Sequence, residues 1–246
     1  MKKLSVRRRR NLCPLILGFV VMAFLIGVAG PFQAKASLIT SDPGIPPLGG
    51  EYTSPTVVLE TYTSPDWTII LQDVHLGGFT EVVRTEVGTD ELESFDATLT
   101  GLGTWIADRS GEAINFQLRG PMDLVTYEKA GQTTGWFDLE IVSMDLWGVI
   151  LLPSAERVIE MRESPTFVSC GQIQITDLGD GTFEIASFFD IFTELSVDGG
   201  DTWVPSQSSC GLRMELNPAP VPVPATFLLL GFGLIGLAGF RRKFKR

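Results

Sequence analysis

The chain has little of the chemistry on which most enzymes depend. It contains one histidine, His75, and three cysteines among 246 residues. A Ser-His-Asp triad would have to use His75, and no G-x-S-x-G motif accompanies it. A zinc site needs clustered nitrogen and sulfur ligands, which so few His and Cys do not supply. The composition therefore predicts no catalytic residue and no zinc ligand, and it predicts a structural or solvated role for His75.

The chain also lacks amphipathic helical periodicity, because no stretch repeats apolar residues every 3.6 positions. Short runs rich in Val, Ile, Phe, Thr and Trp alternate instead with turn residues, among them Gly77-Gly78, 101–103, Asp180-Gly181 and 198–200. This pattern predicts a single all-β domain, an antiparallel β-sandwich or jelly-roll-like fold. The predicted strands are 56–62, 67–76, 94–99, 113–118, 124–127, 136–146, 157–161, 172–175, 183–188 and 192–196.

Positive charge is scarce in the body of the chain. Seven of the 19 Lys and Arg lie in 1–36 and five in 241–246, whereas all 29 Asp and Glu lie between Asp42 and Glu215. The body therefore has a formal charge of −22, which repels nucleic acid and anionic lipid. Carboxylates on the turns at 90–93, 177–181 and 198–201 favour Ca²⁺ as a ligand, and a solvated acidic face is the alternative. No other cofactor is predicted.

Residues 1–36 have the three parts of a signal peptide. A basic start at 2–10 precedes an apolar run at 13–30, and Ala34-Lys35-Ala36 forms an A-x-A cleavage site before Ser37. The Sec translocon and signal peptidase are the partners that such a segment implies. An uncleaved anchor helix is the alternative, because an apolar run of about 18 residues can just span a bilayer.

The C-terminus has a second segment of three parts. A Pro-rich linker at 217–224 precedes an apolar run at 225–240 and a basic end at 241–246. The apolar run predicts a short membrane helix of roughly 24 Å, against a hydrocarbon core of about 30 Å. By the positive-inside rule Arg241, Arg242 and Lys243 keep the end cytoplasmic, which leaves the acidic domain, 37–216, outside.

The same C-terminal segment resembles the PEP-CTERM protein-sorting signal of Gram-negative bacteria. The motif residues are Val221, Pro222, Val223, Pro224, Ala225 and Thr226. Val223 departs from the Glu that usually lies between the two prolines, while the order of motif, apolar run and basic end is kept. The resemblance implies processing by an exosortase-like enzyme and delivery to the cell surface or an exopolysaccharide matrix. A plain membrane anchor is the alternative.

Two cysteines, Cys170 and Cys210, remain once the signal peptide is removed. An even pair in an exported chain suggests one disulfide. Its loop of about 40 residues would stabilise the fold by roughly 3–4 kcal/mol. Two buried thiols are the alternative.

One local motif stands out in the body. Residues 196–203 fit S-x-D-x-G-x-T-W and resemble the Asp-box of sialidases and related β-proteins. Asp198 is expected to bind backbone N–H groups inside the turn, Gly200 to take a positive φ, and Trp203 to pack beneath the hairpin. The resemblance implies a structural turn of Ser196, Asp198, Gly200, Thr202 and Trp203, because the box is a fold element that lies away from the active site in those families.

These features predict an exported protein with a structural or interaction role and no enzymatic activity. A carbohydrate-binding module is the second hypothesis, since exposed tryptophans can stack on sugars; core packing is the alternative for each of them. A glycoside hydrolase is the third, and it would need two carboxylates facing one cleft about 5–10 Å apart. The tryptophans in question are Trp67, Trp105, Trp136 and Trp147.

Overall fold

The computed structural model describes residues 37–55, 60–107, 110–152 and 155–217. Within these ranges every regular element is a β-strand, and no helix there is long and apolar enough to cross a membrane. All strand pairs are antiparallel, which confirms the all-β antiparallel prediction. The predicted cleavage residues Ala34 and Ala36, the sorting motif, the membrane segment and the basic tail lie outside the described residues.

Thirteen strands follow one another along the described residues. They are β1 (Leu38–Thr40), β2 (Glu51–Thr53), β3 (Glu60–Thr63), β4 (Thr68–Val87), β5 (Asp90–Ala107), β6 (Ser110–Thr126), β7 (Gly135–Leu151), β8 (Glu156–Glu163), β9 (Ser169–Asp177), β10 (Phe183–Ile191), β11 (Thr193–Ser196), β12 (Val204–Pro205) and β13 (Leu212–Asn217).

Four long strands, β4 to β7, form a continuous meander in which each strand pairs with the next. The shorter strands divide the length of their long neighbours between them. β2 and β3 both pair with β4, and β8 and β9 both pair with β7. β10 then pairs with β9, and β11 pairs with β8. The two short strands β8 and β9 together therefore occupy the place of one long strand, and so do β10 and β11; these four are the interrupted strands.

The sheet closes on itself. β13 pairs with β10 on one side and with β2 on the other, and β2 pairs with β4, which completes a ring of strand pairs. Consecutive strands are neighbours from β3 to β8, whereas β1, β2 and β13 pair with strands that are distant in the sequence. The jelly-roll-like connectivity stays a prediction. All strands belong to one hydrogen-bonded sheet, and the division into two packed sheets stays a prediction.

The inside of the ring is filled by one hydrophobic cluster. Strands alternate inward apolar and outward polar residues, as in β13, where Leu212, Met214 and Leu216 are buried. Each such side chain contributes roughly 1.5–3 kcal/mol when fully buried. The internal cavity beside Tyr52 and Phe189 has a volume of about 10 Å³. That is about the space of one water molecule, so this cavity cannot hold an internal ligand.

The sequence-based prediction of two glycine-rich turns, at Gly77-Gly78 and at 101–103, is wrong. Gly77-Gly78 lies inside β4 at a shift of register, with Gly78 at φ +63°, and 101–103 lies inside β5. A Cβ on Gly101 would be 3.1 Å from the carbonyl oxygen of Asp73 and closer still to the ring of Phe116. These glycines therefore permit bulges and close approach within strands, a use of glycine that resembles turn chemistry in the sequence alone.

Candidate functional site

The Asp-box-like turn is closed by side-chain hydrogen bonds. The Oδ1 atom of Asp198 accepts from the backbone N–H of Thr202 at 3.0 Å and from the Ser196 hydroxyl at 2.7 Å. The Thr202 hydroxyl donates to Oδ2 of the same carboxylate. Gly199 and Gly200 have φ of +77° and +85°, which L side chains adopt at a cost. The bonds and the positive φ predicted for this turn are confirmed.

The turn is joined to the sheet through its tryptophan. Trp203 is half-buried, and the Arg162 guanidinium lies 4.1 Å from the centroid of its ring. Nη2 of Arg162 also donates to Oε2 of Glu194 at 2.7 Å, which links β8, β11 and the turn. The hydrogen bonds from Thr202 and Ser196 lower the pKa of Asp198 to about 2. All these contacts are internal, so the geometry is that of a structural turn.

We expect Asp198→Ala to lower the melting temperature, because three donors inside the turn lose their acceptor. The matched control is Asp201→Ala, which changes an exposed carboxylate in the same turn. Differential scanning calorimetry of both variants checks this. Equal melting temperatures would contradict the structural role of Asp198. Since the pKa of Asp198 is depressed, its stabilisation is present near neutral pH and is lost as the pH falls towards about 2.

The other acidic segments also use their carboxylates internally. Asp177 accepts from the N–H of Gly179 at 2.7 Å, and Asp180 accepts from the N–H of Thr182 at 3.0 Å. The turn predicted at 90–93 is wrong, because these residues begin β5, where Asp90 accepts from the N–H of Glu128 at 2.9 Å. Within the described ranges no group of three or more His, Cys, Asp or Glu is arranged to hold a metal ion. Calcium binding therefore stays a prediction, without a preformed site in this part of the chain.

The predicted disulfide between Cys170 and Cys210 is not formed in the structure. Cys170 lies on β9 opposite Asp190 of β10, whereas Cys210 lies just before β13, on the other side of β10. Paired strands are about 4.8 Å apart, so positions on β9 and β13 that face each other across β10 are roughly 10 Å apart. A disulfide needs Cα atoms within about 7 Å. An even cysteine count does not reveal that a strand lies between the two.

The single histidine has carboxylate neighbours. Nδ1 of His75 lies 3.4 Å from Glu51, and Nε2 lies 3.3 Å from Asp73. His75 pairs with Thr53 between β4 and β2, and its side chain is partly exposed. Both carboxylates are half-exposed and no nucleophile is among these contacts, so the arrangement is that of a solvated strand residue.

The four tryptophans named from the sequence divide into two groups. Trp105 is buried and stacks on the half-buried Trp67, with ring centroids 5.8 Å apart, as core packing predicts. Trp136 and Trp147 are 63% and 61% exposed, and both lie on the outer face of β7. Tryptophan is enriched at interfaces because its large ring is apolar and its N–H is polar. The interaction hypothesis therefore concerns Trp136 and Trp147.

Trp136 lies in a surface groove of about 270 Å³, built where β7 and β9 pair and where the chain leaves β6. The N–H of Tyr127 donates to the carbonyl of Asp138 at 3.0 Å, which fixes this connection against β7. Asp138 and Gln172 are cross-strand neighbours, and the Gln172 amide donates to Oδ1 of Asp138 at 3.1 Å. The lining residues are Tyr127, Glu128, Trp136, Phe137, Asp138 and Gln172.

The hydroxyl of Tyr127 donates to Oε2 of Glu140 on β7. Partial burial and this bond to a carboxylate raise the pKa of Tyr127 above its usual range, so the phenol stays neutral. The groove thus combines an exposed indole, a neutral phenol, an amide and carboxylates, and its lining includes no Lys or Arg. The sequence indicates Trp136 as a candidate but does not indicate its neighbours, since the β7–β9 pairing brings them together.

A buried acidic cluster was not predicted. Glu93 and Thr126 are fully buried on β5 and β6, and the Thr126 hydroxyl donates to Glu93 at 2.9 Å. Nearby, Nζ of the buried Lys129 donates to Glu91 at 2.5 Å. Burial raises the pKa of Glu93 to about 8, and the bond from Thr126 opposes this shift. The sequence does contain one signal for this burial. Alternate residues of a strand face the same side, and Glu93 shares the inward-facing side of β5 with Phe95, Ala97 and Leu99.

Comparison with known proteins identifies one part of the chain. Residues 220–243 match the family model of the PEP-CTERM protein-sorting motif. The chain therefore carries this motif at its C-terminus, which supports export and membrane-associated sorting by an exosortase-like enzyme. No curated protein and no solved structure was found to be similar to the chain.

Proposed function

We propose that this protein is a non-catalytic component of the cell surface or of an extracellular polysaccharide matrix, with a structural or interaction role. The observation that carries the proposal is the sorting motif at 220–243, placed immediately after an acidic β-domain whose last strand ends at Asn217. The excess of acidic over basic residues in that domain favours solubility outside the cell and disfavours binding to nucleic acid.

The proposed topology follows from the two terminal segments. The Sec translocon exports the chain, signal peptidase removes 1–36, and the apolar run at 225–240 holds the protein in the inner membrane, with Arg241, Arg242 and Lys243 on the cytoplasmic side. Ser37 becomes the N-terminus, and its hydroxyl donates to Glu184 at 2.7 Å, beside β1. Within the domain, we infer that β4–β7 and the interrupted strands pack face to face like the two layers of a sandwich. The nearly filled interior supports this arrangement.

Carbohydrate binding is the second candidate function, and the exposed Trp136 and Trp147 favour it. An indole presents a flat apolar surface to the C–H face of a sugar ring while polar neighbours bind its hydroxyl groups. A test of polysaccharide binding also tests the glycoside hydrolase alternative. We expect no release of reducing sugar from a bound polysaccharide, and any such release would replace the non-catalytic proposal.

The first test is intact mass and cell fractionation of the natively expressed protein. We expect a product that begins at Ser37, ends near Pro224 and is found outside the membrane, because both terminal segments are then processed. A variant in which Pro222 and Pro224 are both replaced by Ala is expected to remain unprocessed. If the unaltered protein retains Arg246 and stays in the inner membrane, it is a simple anchored protein and the matrix proposal is wrong.

A further inference from the structure

We propose that the groove around Trp136 binds one strand of a neutral, hydroxyl-rich polysaccharide. This inference deepens the proposed interaction role and rests on it. The groove combines the 63% exposed indole of Trp136 with hydrogen-bonding groups held on adjacent strands. It is built on the paired strands β7 and β9, so its geometry does not depend on a loop alone.

The polar groups in the groove are fixed before a ligand arrives. One N–H of the Gln172 amide is bound to Asp138, which orients the amide. Its second N–H and its carbonyl oxygen then form a donor and an acceptor side by side, and the second oxygen of Asp138 adds another acceptor. Neighbouring hydroxyl groups on a sugar ring both donate and accept, so they match this set. Fixed partners reduce the ordering cost of binding.

The charge of the groove selects against anionic polymers. Glu128 and Asp138 line it, Glu140 accepts a hydrogen bond from the lining residue Tyr127, and the lining includes no Lys or Arg. Phe188 lies opposite Gln172 on β10, and the guanidinium of Arg213 covers its ring at 3.5 Å. The stacking surface in the proposal is the exposed part of the Trp136 ring. A polymer of uronic acids or sulfated sugars would bring its charge against three carboxylates.

Trp147 provides a matched control for the test. It is 61% exposed on the outer face of the same strand, eleven residues from Trp136. At about 3.3 Å rise per residue, this places it roughly 36 Å away, outside the groove. Both substitutions to Ala remove an exposed indole and leave the core intact, so their effects on folding should be similar.

The experiment measures retention of the full-length chain, purified in detergent, on immobilised polysaccharides. The probes are cellulose, amylose and dextran as neutral polymers, alginate as an anionic polymer and chitosan as a cationic polymer. We expect retention on at least one neutral polymer and none on alginate. Trp136→Ala should weaken that binding by about tenfold or more, as loss of a central aromatic contact does. Gln172→Ala should weaken it to a smaller extent, and Trp147→Ala should leave it unchanged.

Two results would overturn the proposal: no retention on any neutral polymer, which includes binding to chitosan alone, or equal effects of Trp136→Ala and Trp147→Ala. Cell fractionation shows where the protein is located, so it distinguishes failure of the groove proposal from failure of the proposed function. Absence of binding by a protein that is found in the matrix removes the groove proposal and leaves the surface role. Trp136-dependent binding by a protein that stays in the inner membrane supports the groove and removes the matrix location.

Discussion

Replacing Gly148 by Ala is expected to destabilise the domain by about 2–4 kcal/mol, which is at or above the usual cost of overpacking. Gly148 is buried on β7 opposite Leu118 of β6. A Cβ there would lie 2.1 Å from the carbonyl oxygen of Gln117 and 2.9 Å from a methyl group of Leu118. The nearest atom belongs to the backbone, so relief requires the two strands to separate. Urea unfolding followed by tryptophan fluorescence measures the effect.

Gly111→Ala is the matched control, since Gly111 also lies within a long strand. A Cβ on Gly111 would have its nearest contact at 3.4 Å, with the Thr104 side chain, which is an ordinary van der Waals distance. We expect this variant to stay within about 0.5 kcal/mol of the unaltered protein. If both substitutions changed stability equally, the close approach of β6 and β7 at Gly148 would not be a feature of the folded protein.

The stability of the domain is expected to fall between about pH 5 and pH 8, in part because of Glu93. Its carboxyl has a pKa of about 8 in the folded protein, raised by burial from an ordinary value of 4.5. Unfolding in this range therefore releases a proton, so the free energy of unfolding decreases as the pH rises. One unit of pKa corresponds to about 1.4 kcal/mol, which makes the full loss of order 3–5 kcal/mol. The neutral carboxyl is favourable at low pH, and its contribution is lost above about pH 8.

Glu93→Gln removes this proton release and keeps an acceptor for Thr126, so we expect it to flatten the pH dependence and to stabilise the protein most at pH 9. Asp96→Asn, a substitution on the same strand outside the buried cluster, is the control. Burial also raises the pKa of Glu163 to about 7, so the difference between variants, rather than the slope of the unaltered protein, isolates Glu93. Equal slopes for Glu93→Gln and Asp96→Asn would refute this account.

The parts of the fold that the sequence predicts are those with local signals. Alternation of apolar and polar residues identifies the class and much of β4 to β11. The turns at Asp180-Gly181 and Asp198 are also found, because their Asp side chains bind backbone N–H groups within a few residues. The Asp-box geometry follows from eight consecutive residues. Trp136 and Trp147 are recognisable as candidates, although their exposure is decided by the direction in which β7 faces the core.

The parts that the sequence does not predict depend on long-range pairing. Closure through β13 and β2 joins Leu216 to Tyr52, and nothing near either residue specifies the other. Apolar and polar residues do alternate in β13, but the strand is short and lies beside the Pro-rich linker, so the sequence pattern does not distinguish it from the linker. Long-range pairing also explains three other features that the sequence does not predict: the glycines within β4 and β5, the neighbours of Trp136, and the separation of Cys170 from Cys210. Each follows from which strands become adjacent, and that is a property of the whole ring.

The position of β13 has a consequence for the order of events during export. This strand is the last described element before the sorting segment, and it supplies hydrogen-bond partners to both β10 and β2. While the chain emerges from its N-terminus, those two strands keep unpaired edges until residues 212–217 have crossed the membrane. In the proposed topology, we therefore expect folding to be completed only when the sorting segment has reached the bilayer. Cleavage after Asn217 leaves the finished sheet intact, whereas truncation before Leu212 leaves two edges open to aggregation.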